Sequence, residues 1–199
     1  MLPINETELA IIEAARKVFI SKGYDGTTLK KIASEAKVNQ ALLHYYYRSK
    51  EKLFEIVFTE ACGIIQEKLI LITKSEDNIE EIIKELIDVY VNTLINHPYL
   101  PNFILGEISR NPDKVFKIVF QEEFSTFTVL RVIVKIKNKL LESNKEASNP
   151  LDLILNVISL NVFPFLIRPL IMSLFKVDEK QFNNFMIERK ANLSSFILK

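Results

Sequence analysis

The chain has 199 residues, 48% of them apolar and 26% charged, and its 26 Lys and Arg nearly balance 25 Asp and Glu. That composition excludes a disordered or collagen-like chain, and only four Gly and seven Pro favour long helices over a many-stranded sandwich or barrel. One cysteine, Cys62, and two histidines exclude a disulfide framework and argue against a structural zinc site, so no metal or other cofactor is expected.

The opening residues show no basic stretch followed by an apolar core, so no signal peptide is expected. Ile11, Ile12, Ala15, Val18 and Phe19 repeat at helical spacing and predict a helix over 7–22, with Thr7 as its cap and Gly23 as its stop. Residues 23–27 read as a turn. A short helix follows over 28–36, with Leu29, Ile32, Ala33 and Ala36 on its inner face. After a tight connection at Lys37 and Val38, Asn39 caps a third helix through Tyr46, and Ser49 caps a fourth over 50–73. Three short helices bury too little alone, so the fourth must pack on them through Leu53, Phe54, Val57 and Phe58.

Beyond this head the pattern stays helical. Ser75 is the expected cap of a helix over 76–96, and Pro98 opens a short segment to about 110. Asn111-Pro112-Asp113 is a strong start signal for a helix that could reach Glu142 with a bend or break. Asn149-Pro150-Leu151-Asp152 repeats that signal for a helix to about Phe175, kinked near Pro164 or Pro169. Asp178 with Gln181 fits a capping box for the last helix. The fold class expected is all-α with about nine helices. The stretch from Leu153 to Phe175 is about long enough to cross a bilayer, but Asn156, Asn161 and Arg168 make a lone span costly, so no stable membrane insertion is expected.

Charge is uneven. Residues 1–50 hold eight basic side chains against five acidic ones, whereas the other 149 residues hold 18 against 20. A mildly basic head suits a polyanion partner. The helices at 28–36 and 39–46 suit a helix-turn-helix whose second member enters a major groove. Asn39, Gln40, His44, Tyr45 and Tyr46 would face bases or phosphates there, and Gln can pair bidentately with adenine. Thr27, Thr28, Lys37, Arg48 and Lys50 are the candidate phosphate contacts, with the amides opening the fourth helix as a second phosphate seat. Simpler roles compete: His44 as a solvated surface residue, Thr28 as a plain cap, Lys50 as a solvated charge and Tyr46 as packing.

The window from Ile12 to Phe54 resembles the DNA-binding domain of the TetR (tetracycline-repressor-like) family of bacterial regulators. Ala14, Ala15, Phe19, Gly23, Tyr24, Thr27, Thr28, Leu29, Ile32 and Ala33 carry the first part of that pattern. Ala36, Val38, Asn39, Leu43, Tyr46, Tyr47, Ser49, Lys50, Glu51 and Leu53 carry the second. Lys37 stands where the family prefers Gly, His44 where it has Tyr and Tyr47 where it has Phe. If position 37 is left-handed, Lys there costs on the order of 1 kcal/mol. The resemblance implies a DNA-binding domain over 1–48 and a helical effector-binding and dimerisation domain over 49–199. It implies a cytoplasmic bacterial regulator, a repressor released from a palindromic double-stranded operator by a small apolar effector.

For a homodimer, the expected seam is Leu151, Ile154, Leu155, Ile158, Val162 and Phe165 on the penultimate helix. Phe182, Phe185, Met186, Leu193 and Phe196 on the last helix complete it. Spending both stripes on the chain's own core is the alternative. Tyr90, Phe103, Phe116, Phe120, Phe124 and Phe127 are candidates to line an effector cavity, with Asn92, His97, Arg131 and Asn161 as polar anchors. Ordinary core packing gives the same pattern. Catalysis has no support: the chain holds no HExxH, no nucleophile elbow, no glycine-rich phosphate loop and no acid pair tied to a histidine. A peripheral lipid-binding adaptor and a small-molecule carrier remain competing readings of the same basic head and apolar body.

Overall fold

The computed structural model describes residues 6–121, 123–143 and 149–197, with the backbone alone for 119–121 and 123–129. Among the described residues there are eleven helices and no strand. They are α1 (Glu6–Gly26), α2 (Leu29–Glu35), α3 (Gln40–Tyr47), α4 (Lys50–Lys74), α5 (Ile79–Asn96) and α6 (Leu100–Arg110). Then follow α7 (Pro112–Gln121), α8 (Glu123–Glu142), α9 (Pro150–Leu166), α10 (Arg168–Phe175) and α11 (Glu179–Ile197). The all-α expectation holds. The count exceeds nine because α7 and α8 are counted apart on either side of residue 122 and the segment over 150–175 divides in two.

Residue 122, between α7 and α8, lies outside the described residues. The segment over 150–175 divides at Ile167, where φ and ψ of −99° and 15° leave the helical region and the axis bends by 62°. Pro164 sits inside α9 without ending it, whereas Pro169 lies in the first turn of α10. A proline removes one N–H donor and restricts the residue before it, so the helix restarts there. No single described helix is long and apolar enough to cross a membrane; the bent α9–α10 pair passes that test only by length and composition.

The start signals act largely as the side chains dictate. The Asn39 side chain accepts from Leu42 N–H at 2.7 Å, and that of Asn149 accepts from Leu151 N–H at 2.9 Å. Asp178 and Gln181 bond each other's backbone N–H groups reciprocally. Ser75 is a correction. Asn78 caps α5 in its place, paired with Glu81 in a capping box, because Asn-x-x-Glu satisfies two orphan amides at once. Ser75 instead donates its hydroxyl to Ile72 O at 3.0 Å.

The chain forms two compact units. The first takes the chain up to Gly63 together with Asn102–Gln121, and the second takes Ile64–Pro101 and Glu122–Lys199. The first therefore extends past residue 48 and draws in most of α6 and all of α7. Its core is aromatic. Phe54, fully buried, meets Tyr24, Phe19, Phe58 and Phe103 with ring centroids 4.9, 5.2, 5.4 and 6.2 Å away. Each such buried ring contributes roughly 1.5–3 kcal/mol of transfer free energy. Ile11, Ala15, Ile32, Leu43 and Leu53 close this core without exposed surface.

In the second unit, α5 packs against α8, α9 and α11. Ile82, Ile83, Leu86, Ile87, Val91 and Leu94 bury one face of α5, while Lys84, Glu85 and Asp88 keep the other in water. Phe165 and Phe182 meet edge to face at 5.4 Å, and Met186 is fully buried. Polar ties at the edges join Lys68 to Thr93 at 2.7 Å and Lys190 to Asp88 at 2.6 Å.

Candidate nucleic-acid interface

The short helices α2 and α3 pair as a helix-turn-helix. Ile32, Ala33 and Leu43 point inward, so the opposite face of α3 is left in solvent. Asn39, Gln40, His44 and Tyr45 are exposed, with Tyr45 at 77%. Tyr46 is half-buried and lies edge-on to Tyr45 with centroids 5.4 Å apart. Tyr47 turns toward α1 and donates its hydroxyl to Glu8 O at 3.4 Å. Asn39 spends its side-chain oxygen on the cap and keeps its amide donors available.

Both ends of α3 are set by cations in an unfavourable backbone region. Lys37 has φ of 56° and Arg48 φ of 57°, and both side chains are exposed. Lys37 thus occupies the left-handed turn in which glycine would be free of strain, at a cost of roughly 1–2 kcal/mol.

The two threonines divide. Thr28 is exposed and caps α2, accepting from Lys31 N–H at 3.3 Å. Thr27, expected at a phosphate, is buried, and its hydroxyl donates to Gly23 O at 2.7 Å. It braces the turn. Lys50 is half-buried, its ammonium 4.0 Å from the Tyr24 ring centroid and donating to Tyr24 O at 3.1 Å. Ser49 caps α4 by accepting from Lys52 N–H at 3.1 Å.

Tyr24 is the node of this region. Its hydroxyl bonds Glu51, and burial together with that carboxylate holds its ionisation well above the usual phenol range. The same bond draws the Glu51 carboxyl below its ordinary value. Lys114 of α7 sits 3.1 Å from the Tyr24 centroid, a cation–π contact, and burial lowers its pKa. The sequence reading missed Lys114, and it missed Glu107 of α6, which is fully buried. One Glu107 oxygen accepts from Tyr24 N–H at 2.9 Å and from Arg110 Nη2 at 3.2 Å, and the other from Asn111 Nδ2 at 3.0 Å. The signal was available: Glu107 continues the buried stripe of Leu100 and Phe103, where an apolar residue is due.

Among the described side chains, the expected effector residues do not converge. Tyr90 lines a cavity of about 40 Å³ with Leu69, Leu86, Val132, Ile154, Val157 and Ile158, and burial pushes its pKa up to about 12. Asn161 is fully buried on α9, donating to Val157 O at 2.7 Å, with its carbonyl oxygen unpartnered. Phe103 belongs instead to the first unit's aromatic core, because α6 continues into that unit from Asn102. Phe116 is 59% exposed, since Val115 and Ile118 take the inner face of α7. Arg131 is exposed, Asn92 is exposed and accepts from Lys190, and His97 ends α5 beside Tyr99. The side chains of Phe120, Phe124 and Phe127 lie outside the described residues.

The expected seam divides as well. Leu151, Leu155, Phe185 and Phe196 are exposed by 49–67%, and Ile158 is half-buried. Ile154, Val162, Phe165, Phe182, Met186 and Leu193 are instead consumed by the second unit's own core. Two further aromatics, Phe163 and Phe175, are exposed by 57% and 72%.

Known proteins resemble this chain most clearly at the head. Residues 11–57 match the model of the bacterial regulatory proteins of the tetR family. The chain is 30% identical over 97 residues to the HTH-type transcriptional repressor NicS of Pseudomonas putida, covering 49% of this chain and 46% of that protein. It is 34% identical over 68 residues to IcaR of Staphylococcus aureus, the HTH-type negative transcriptional regulator of a biofilm operon, covering 34% and 36%. The matches thus span less than half the length of these curated relatives. A TetR-like transcriptional regulator from Rhodococcus sp. RHA1 shares the fold over 98% of this chain and 96% of its own, with a TM-score of 0.65 and 17% identity. The fatty acid degradation regulator FadR of Bacillus halodurans does so over 98% and 95%, with a TM-score of 0.64 and 17% identity. Head motif and helical order agree with these relatives: residues 11–57 form a head of the tetR family of bacterial regulatory proteins.

Proposed function

We propose that the protein is a dimeric, operator-binding repressor of transcription in the bacterial cytoplasm, released from DNA by a small apolar effector. One observation carries the DNA-binding part: α3 buries Leu43 and leaves Gln40, His44 and Tyr45 in solvent between two exposed cations, Lys37 and Arg48. Base edges are read from such a face, while the cations and the Thr28 end of α2 meet phosphates. The repressor sign is supported by NicS, a transcriptional repressor, and IcaR, a negative transcriptional regulator.

Dimerisation is supported by the exposed apolar side chains of α9 and α11. They border a groove of about 570 Å³ lined by Leu160, Phe185, Arg189 and Phe196 among others. Water leaves such surface at a gain when a second copy covers it. The effector part is supported by the apolar-lined cavity at Tyr90, which must widen to admit a molecule of moderate size. Its coupling to DNA is reciprocal, so operator weakens effector binding by the same factor.

Selection of bound sequences from a random duplex library tests the reading. A recovered site with two-fold symmetry supports it, and recovery of no preferred sequence sinks it. Within the recovered site, Gln40→Ala relaxes discrimination at particular positions. Lys37→Ala weakens all sequences alike and lowers the salt slope by about one. Phe185→Asp with Phe196→Asp turns the dimer into a monomer in sedimentation.

A further inference from the structure

We propose that Glu107 is the positioning residue through which α6 holds the DNA-facing head, an inference that rests on the DNA-binding reading above. The carboxylate has no exposed surface, and its oxygens accept from Tyr24 N–H, Arg110 and Asn111. A buried oxygen stripped of its donor loses a full hydrogen bond without gaining water. Movement of α6 therefore either carries residue 24 with it or breaks this joint. A leucine would fill the same stripe position but would hold nothing in direction.

What Glu107 grips is the point where α1 leaves helical geometry. Gly23 has φ of 67°, and a Cβ there would lie 3.1 Å from both Glu107 Oε1 and Arg110 Nη2. A side chain at residue 23 would press on both α6 side chains as well as strain the backbone. From Tyr24 two further bonds run to the first turn of α4. Its carbonyl accepts from Lys50, and its hydroxyl bonds Glu51. One acidic side chain on α6 thereby fixes the residue that orients the start of α4, the second phosphate seat. A slip of α6 by about 1 Å takes the 2.9 Å bond out of hydrogen-bonding range.

The test uses the full chain with 15N-labelled tyrosine, whose six amides include that of Tyr24. Glu107→Gln keeps an acceptor for Tyr24 N–H, and Glu107→Leu removes it at similar volume. In Glu107→Leu the Tyr24 amide shifts and loses exchange protection, and affinity for the duplex selected by the wild type falls about tenfold or more, 1.4 kcal/mol per decade. Glu107→Gln stays within about threefold of wild type. Equal affinities for wild type and Glu107→Leu, or equal losses in both variants, overturn the proposal. If Glu107→Leu does not fold, Gly23→Ala forces the joint apart from its other side; wild-type affinity in that variant overturns the proposal too. Should the wild type select no duplex, the regulator reading falls instead, and unaltered Tyr24 exchange in Glu107→Leu then overturns the joint by itself.

Discussion

The two units bury apolar surface by different means. In the first, several core residues also fix something beyond their own burial. Phe54 packs under Tyr24, Tyr24 holds the start of α4, and Leu43 sets which face of α3 is wet. In the second, α5 and α9 need only be apolar on the correct side, and large apolar surface is left over at Phe163, Phe175, Phe185 and Phe196. A residue with two jobs leaves few substitutes and hence a motif. A residue with one job leaves only a periodicity.

The sharpest way to break this contrast is a pair of truncations. Phe54→Ala empties the centre of the aromatic cluster and costs about 3–5 kcal/mol, read as a lowered urea midpoint. Phe175→Ala, at 72% exposure, stays within about 0.5 kcal/mol. Similar losses in both would erase the distinction. Next in size is Gly23→Ala. Its φ of 67° and the 3.1 Å approaches predict a loss of about 1–2 kcal/mol in the same assay, where a glycine in an ordinary turn would lose nothing.

Lys37→Gly reverses the sign. Release of the left-handed strain raises stability by about 1 kcal/mol, while binding to the selected duplex weakens and its salt slope drops by about one. A variant that gains stability and binds DNA unchanged would show that position 37 serves the turn alone. The last comparison belongs to the second unit and to alkaline solution. Folding holds the Tyr90 proton up to about 12, whereas a free phenol ionises near about 10. The folded state therefore binds more protons than the unfolded state across that window. Stability from Tyr90 is complete below it and declines as pH rises through it. Tyr90→Phe flattens that part of the urea-midpoint profile; an unchanged profile would place the phenol in water.

Legibility followed the same divide. Asn39 as a cap and the break in α1 at Gly23 could be read from sequence because each depends on its own neighbours; at position 37 the sequence showed only a Lys where the family prefers Gly. The cap of α5 was misplaced by three residues because Ser75 and Asn78 offer the same local chemistry, and only Glu81 distinguishes them. Thr27 and Thr28 are identical in type, and their opposite orientations follow from the Gly23 turn. The burial of Phe103 and Glu107 was readable, but their partners could not be assigned from sequence. Their partners are Phe54, Phe58 and Tyr24, far away along the chain, and periodicity reports a buried face without saying against what. Four of the expected seam residues are exposed and six are in the core for the same reason: a stripe apolar nearly all round has no readable inside.

The turns on either side of α3 have a consequence for how this head can evolve. Lys37 and Arg48 are both cationic and both sit at positive φ. Any drift toward glycine there would make the head sturdier and, in the same step, strip positive potential from the surface beside the reading helix.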